Sequence, residues 1–233
     1  HPAATHRGTF VPLNVNIMNG RIRGIAGVVG CNNARVLHDT GHIALMNELI
    51  KNDVIVLTTG CAAMAAGKAG LLTPESASVF CGPGLAEVCE TVGSPPVLHM
   101  GSCVDNSRIL TAATEVVKAG GLGKELADLP AVGSAPGWMS EKAVGIAQYF
   151  ITSGVSVMLG VPLPIYGAPN LVKHLEEEME ELYGAKWGYE PDPIKCAHKM
   201  IEIIDKKRKA LGIDKARERV LMDMADRQKL EVA

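Results

Sequence analysis

Three cysteines in this chain share one local context, and their chemistry is the most specific that the sequence offers. Cys31 stands in Gly-Val-Val-Gly-Cys-Asn-Asn, Cys61 in Thr-Thr-Gly-Cys-Ala-Ala and Cys103 in His-Met-Gly-Ser-Cys-Val-Asp. Each follows a short run that reads as a strand: Ile22 to Val29, Asp53 to Thr58 and Pro96 to Met100. A Gly one or two residues before each thiol lets the backbone turn tightly and approach a ligand. A helix start following the thiol presents its amide-rich end, which favours the thiolate. Soft thiolates gathered at one point suit iron-sulfur clusters and thiophilic metals better than hard cations. The spacing is not that of a zinc ribbon, so the fold itself must assemble these ligands.

A fourth loop, Val-Gly-Ser-Ala-Pro-Gly-Trp-Met-Ser-Glu-Lys142, carries a cation into the first turn of a helix opening near Ser140. The helix dipole disfavours a cation there by roughly 0.3 to 1 kcal/mol. Two readings stand: Lys142 holds its head in water, or it turns toward the cysteine edge and balances negative charge growing on a bound oxygen. Cys81, Cys89 and Cys196 read as small buried hydrophobes. His99, inside a strand, reads as a packed core residue. His38 and His42 flank a loop bordering the thiols, and no histidine is assigned as a ligand. The run Glu176, Glu177, Glu178 reads as a solvated helix face, because adjacent helical positions point in different directions.

The elements that must position these residues alternate between β-branched runs and helix-length segments, the pattern of βαβ units feeding a parallel sheet. Two further strands are expected at Pro130 to Gly133 and Val155 to Gly160. Helices are expected at His42 to Lys51, Ala62 to Gly70, Pro74 to Phe80, Leu85 to Val92, Asn106 to Ala119 and Ser140 to Thr152. The predicted fold is therefore α/β and Rossmann-like, a doubly wound, mainly parallel sheet with helices on both faces. In such sheets the carboxyl ends of the strands share the edge that binds ligands, so all three thiols would meet there. After the Pro-rich stretch Val161 to Pro169 come an acidic helix, Leu171 to Tyr183, and amphipathic helices at Ile194 to Leu211 and Lys215 to Leu230. Residues 1–18 are expected to form a leading segment of uncertain structure. Residues 19–233 would form one domain whose helical part begins at about 163.

Composition sets the bounds. The chain has 233 residues, 47% hydrophobic and 21% charged, which is ordinary globular composition. Its net charge is −2 with no basic stripe, which argues against nucleic acid as a partner. No strand is followed by a phosphate-binding glycine loop, so a nucleotide-binding module is a weak rival. No apolar run is long enough to span a bilayer and no secretory leader is evident, so a cytoplasmic location is expected. Six cysteines in a chain this rich in aliphatics read as reduced thiols or metal ligands. The chain opens on His rather than Met and reads as a sequence entered partway through.

Taken in order, the motifs around Cys31, Cys61 and Cys103, with Met-Ser-Glu-Lys142-Ala-Val, resemble the C-terminal third of the anaerobic nickel carbon monoxide dehydrogenases, from about Asn19 onward. The resemblance implies a nickel-iron-sulfur cluster that interconverts carbon monoxide plus water with carbon dioxide, two protons and two electrons. It also implies that Cys31 and Cys61 bind irons, that Cys103 binds nickel and that Lys142 stabilises the oxygen of bound carbon dioxide. Ile146 matches an apolar residue crowding the gas pocket, or is ordinary helix core. The family's whole chain adds a His and two Cys to the same cluster, and N-terminal cysteines for 4Fe-4S relay clusters; none of those motifs precedes Cys31. The expectation is an enzyme fragment, inactive alone, needing the remainder of its enzyme, a homodimeric partner and a ferredoxin-like electron carrier. The stretch from Cys61 to Cys103 is short for the family, which implies a loop trimmed near Ser94. A hybrid-cluster protein of the hydroxylamine reductase type and a metal-free scaffold domain remain the alternatives.

Overall fold

The computed structural model describes residues 9–34, 36–165 and 167–215. A helix α1 (Val11–Met18) precedes the first strand, β1 (Gly24–Val28). There follow α2 (Thr40–Lys51), β2 (Val54–Thr58), α3 (Gly60–Lys68), α4 (Ser76–Phe80), α5 (Pro83–Val92) and β3 (Val97–His99). A short turn of helix at Cys103–Asp105 leads into α6 (Ser107–Lys118), β4 (Ala131–Ala135), α7 (Glu141–Thr152) and β5 (Val157–Leu159). The chain then forms α8 (Pro169–Lys173), a wider helical turn at His174–Glu178, α9 (Met179–Tyr183), β6 (Trp187–Tyr189) and α10 (Pro193–Ala210).

The six strands form one sheet in the order β3-β2-β1-β4-β5-β6, and every pairing is parallel. All five residues of β1 and of β4 are buried, as expected of strands covered on both faces. Alternate positions of β1 meet opposite layers: Gly24 lies against Ile204 of α10, while Gly27 lies against Ile109 of α6 and Phe150 of α7. The chain reverses its direction of winding between β1 and β4, so a crevice opens outside the carboxyl ends of these two strands.

Five of the six strands and helices α2 to α7 fall where the sequence places them, within a few residues, whereas α1 was not anticipated. The sheet is wholly rather than mainly parallel. The sixth strand was not anticipated: Trp187–Tyr189 is only three residues long and lies between charged helices, too short for a period-two pattern to register. It pairs with β5 through Val157 and Trp187, and the Trp187 indole is held by Gln148 of α7 at 3.1 Å. The leading segment contains α1, which begins with a Pro at its first turn and is tied to α6 by Asn14 Nδ2, donating to the Val116 and Gly120 carbonyls. The amphipathic stretch expected at Lys215 to Leu230 lies, after Lys215, outside the described residues.

Arg208 closes the amino edge of the fold. Its guanidinium, on α10, is buried and donates to the carbonyls of Ile17, Arg23 and Ile213 at 2.9, 2.9 and 2.7 Å. One side chain thereby satisfies the end of α1, the entry to β1 and the exit of α10. Arg208→Met keeps the bulk but removes the donor to the Arg23 and Ile213 carbonyls, each costing about 1 kcal/mol or more if left buried and unpaired, while the Ile17 carbonyl keeps the Gly20 amide. The expected loss is about 2 kcal/mol of unfolding free energy, read as a lower urea midpoint with unchanged slope.

Candidate metal centre

Each sequence-predicted residue of the site lies at the carboxyl edge of the sheet. Cys31 follows β1, Cys61 occupies the first turn of α3 after β2, Cys103 opens the turn after β3, and Lys142 lies in the first turn of α7 after β4. The backbone of each loop is bonded to that of a neighbour. The Gly60 amide donates to the Gly101 carbonyl at 3.0 Å, joining the Cys61 and Cys103 loops. The Cys31 amide donates to the Gly137 carbonyl at 2.9 Å, joining the Cys31 loop to the one that carries Lys142. Asn33 adds a side-chain bond to the Trp138 carbonyl at 3.1 Å.

Gly60 shows why a glycine stands before Cys61. Its φ of +55° is left-handed, and a Cβ there would lie 3.1 Å from the Cβ of Cys103. The Cys103 turn is held from below by Asp105, whose carboxylate accepts from the Ser102 amide at 2.8 Å and hydroxyl at 3.0 Å. Those bonds hold the Asp105 carboxyl below its usual range.

The thiols act on one another. Burial pushes the Cys31 thiol above its ordinary value, and the neighbouring Cys61 and then Cys103 push it further. A backbone bond at Met139 and the Lys142 ammonium act in the opposite direction. At Cys31 this corrects the expectation that a following helix start would lower the thiol's pKa. No helix begins at Cys31; eight residues of loop separate it from α2, and desolvation prevails. The other three cysteines are ordinary: burial drives Cys81 and Cys89 up to about 12 and Cys196 to about 11.

Lys142 turns toward the thiols, with Nζ 3.8 Å from Cys103 Sγ. Beneath the pair lies a cavity of about 70 Å³ lined by Cys31, Cys103, Asn106, Lys142, Ile146 and Phe150, among others. Ile146, which sequence reasoning left between two roles, thus stands at the cavity wall. Cys61 is exposed and stands outside the cavity. Among the described residues, no three His, Cys, Asp or Glu side chains converge on a point that would hold one metal ion. The three thiols share one rim, and soft sulfur donors drawn from separate loops are the donor set that suits iron-sulfur and thiophilic metal groups.

The model of the Prismane/CO dehydrogenase family matches residues 4–194. The chain belongs to this family. Its sequence is 51% identical, over 207 residues, to carbon monoxide dehydrogenase 1 of Methanosarcina mazei, covering 89% of this chain and 32% of the relative. Among solved structures, the nickel-free carbon monoxide dehydrogenase of Thermococcus sp. AM4 is 49% identical with a TM-score of 0.84, over 88% of this chain and 32% of that one. An acetyl-CoA synthase/carbon monoxide dehydrogenase, described with NiZn[Fe4S4] and NiNi[Fe4S4] clusters in its alpha subunits, is 35% identical with a TM-score of 0.84, over 91% of this chain and 33% of that one. This family member thus spans about a third of the length of such relatives. No described helix is long and apolar enough to cross a membrane.

Two placements depart from the sequence reading. His99 is exposed rather than packed in the core, because β3 is an edge strand and His99 is its last residue. His42 is the buried histidine, 3% exposed; its ring bonds the Val29 backbone, while Nε2 has no partner. Helix periodicity places His42 on the inner face of α2 with Leu45, Met46 and Leu49, a signal that was available in the sequence. Burial lowers its pKa from 6.5 to about 4. Below pH 6.5 the unfolded chain takes up a proton that the folded chain refuses. Stability is therefore complete above pH 6.5 and falls by about 1.4 kcal/mol per pH unit toward pH 4. Urea melts between pH 7 and 4.5 check this, and His42→Leu removes most of that slope.

Proposed function

We propose that this chain is the part of a carbon monoxide dehydrogenase that contributes three thiolates and one ammonium group to a nickel-iron-sulfur cluster. The proposed reaction is the reversible oxidation of carbon monoxide with water to carbon dioxide, two protons and two electrons. The observation that carries this reading is the meeting of Cys31, Cys61 and Cys103 on one rim with Lys142 Nζ 3.8 Å from the Cys103 sulfur.

In this reading Cys31 and Cys61 bind irons and Cys103 binds nickel. When bound, such a cluster supplies a Lewis-acidic metal pair and a store for the two electrons. The chain's residues supply the rest. Three thiolates from separate loops fix the cluster against the sheet edge, and the interloop backbone bonds keep their spacing rigid. Lys142 lies over Cys103, where its ammonium donates hydrogen bonds to negative charge gathering on a substrate oxygen. Ile146 and Phe150 line the cavity beside it with apolar surface, which suits a small uncharged gas and disfavours bulk water. Lys142 is a member of the first turn of α7, opposed there by the helix dipole, so its charge is held for the ligand rather than for the helix.

The remainder of the enzyme would add the other cluster ligands and the 4Fe-4S relay clusters, with a homodimeric partner and a ferredoxin-like acceptor to carry electrons away. A hybrid-cluster protein is the second reading, supported by the breadth of the family model. The dehydrogenase names of the relatives and the Lys142 geometry weigh against it. Metal analysis separates the two: nickel beside iron in the complete enzyme upholds the dehydrogenase, and iron without nickel the hybrid-cluster protein.

Lys142→Ala in the complete enzyme should lower kcat for carbon monoxide oxidation by about 100- to 1000-fold, the usual consequence of deleting one donor to developing charge, while metal content stays unchanged. An equal rate for the variant would remove Lys142 from the mechanism. The 233-residue chain by itself should show no turnover with a viologen acceptor, and robust activity there would overturn the division of the ligand shell.

A further inference from the structure

The thiols of Cys61 and Cys103 are joined by more than backbone. Thr59, two residues before Cys61, is 1% exposed, and Asn106, three residues after Cys103, is 5% exposed. The Thr59 hydroxyl donates a hydrogen bond to Asn106 Oδ1. On its other side, Asn106 Nδ2 donates to the carbonyl of Cys103 at 3.0 Å. Asn106 also lines the cavity beside Cys31, Cys103 and Lys142. One amide thus reads both loops: its oxygen takes the threonine of the Cys61 loop, and its nitrogen holds the backbone that carries the Cys103 sulfur.

We propose that Asn106 and Thr59 are positioning residues that set Cys61 and Cys103 relative to each other for metal binding. This rests on the reading of the two cysteines as cluster ligands. The chemistry of an amide is required at 106, because the site needs an acceptor toward Thr59 and a donor toward the Cys103 carbonyl. A carboxylate offers only acceptors and would repel that carbonyl. At 59 only a hydroxyl of threonine or serine size meets Oδ1, whereas valine matches threonine in shape but leaves the buried amide oxygen unpaired. The Gly60 to Gly101 backbone bond already joins the two loops. The distinct effect of the Thr59 to Asn106 bond is on where the Cys103 carbonyl, and with it the sulfur, can rest.

The test uses three variants, Thr59→Val, Thr59→Ser and Asn106→Asp. In the metal-free 233-residue chain, alkylation by iodoacetamide is followed residue by residue by mass spectrometry. Thr59→Val and Asn106→Asp should change the rates at Cys61 and Cys103 by about fivefold relative to Cys31, the loosening expected when one buried hydrogen bond of ordinary strength is lost. Thr59→Ser should react as the parent does. In the complete enzyme the first two variants should lose nickel relative to iron and show a shifted cluster EPR spectrum, and Thr59→Ser should retain both. Parental alkylation rates and metal ratios in both disruptive variants would overturn the assignment. So would unfolding of both with no stable form, which would make the bond a folding element instead. A complete parent enzyme lacking nickel and iron would overturn the cluster reading alone, since alkylation of the metal-free chain still decides the link between the loops.

Discussion

The direction of strand pairing is the constraint on which the rest of this structure depends. Because β1 pairs in parallel with both β2 and β4, and β2 with β3, the ends of four consecutive strands must emerge at one edge. Each end carries a reactive side chain or leads directly to one. Had any of these strands run the other way, its thiol or ammonium would lie at the far end of the sheet. No local motif could then have restored the cluster of groups.

Within that edge, two opposing electrostatic effects divide the work. Cys61 and Cys103 open helical turns, whereas Cys31 sits in a loop where desolvation and two neighbouring thiols raise its pKa. At Cys31 a thiolate is resisted by burial and by the neighbouring Cys61 and Cys103 sulfurs. Lys142 lowers part of that resistance, and cationic metal would lower it much further, since only thiolates bind. The same burial and crowding that oppose a thiolate at Cys31 therefore make it responsive to nearby positive charge.

Much of this was legible in the chain itself. The Gly-x-Cys and Gly-Cys endings of Ile22 to Val29, Asp53 to Thr58 and Pro96 to Met100 announced the strands and placed the three thiols at their carboxyl ends, since β-branched runs and turn glycines carry strong local signals. Lys142 was legible as an anomaly, a cation placed against a helix dipole, but its direction was not, because a long flexible side chain is oriented by what surrounds it. Trp187–Tyr189 was hidden by its brevity and Asn106 by its position at an ordinary helix start. The raised pKa of Cys31 was beyond local reasoning, because it arises first from burial and then from residues 30 and 72 positions away, and only the fold supplies either.

The contact between Gly60 and the Cys103 turn has a consequence for how such a chain can vary. The Cys61 and Cys103 loops touch directly, through the amide-to-carbonyl bond from Gly60 to Gly101 and the absent Cβ at Gly60. The intervening chain runs through α3, α4 and α5 and returns to the sheet at the opposite edge before β3. Insertions and deletions in that stretch change how far the polypeptide wanders, yet both of its ends remain pinned to the same pair of atoms. Descendants can therefore lengthen or shorten the exposed turns of this excursion, outside the part that packs through Leu71, Ala77 and Leu85, while the spacing of the two loops is inherited intact.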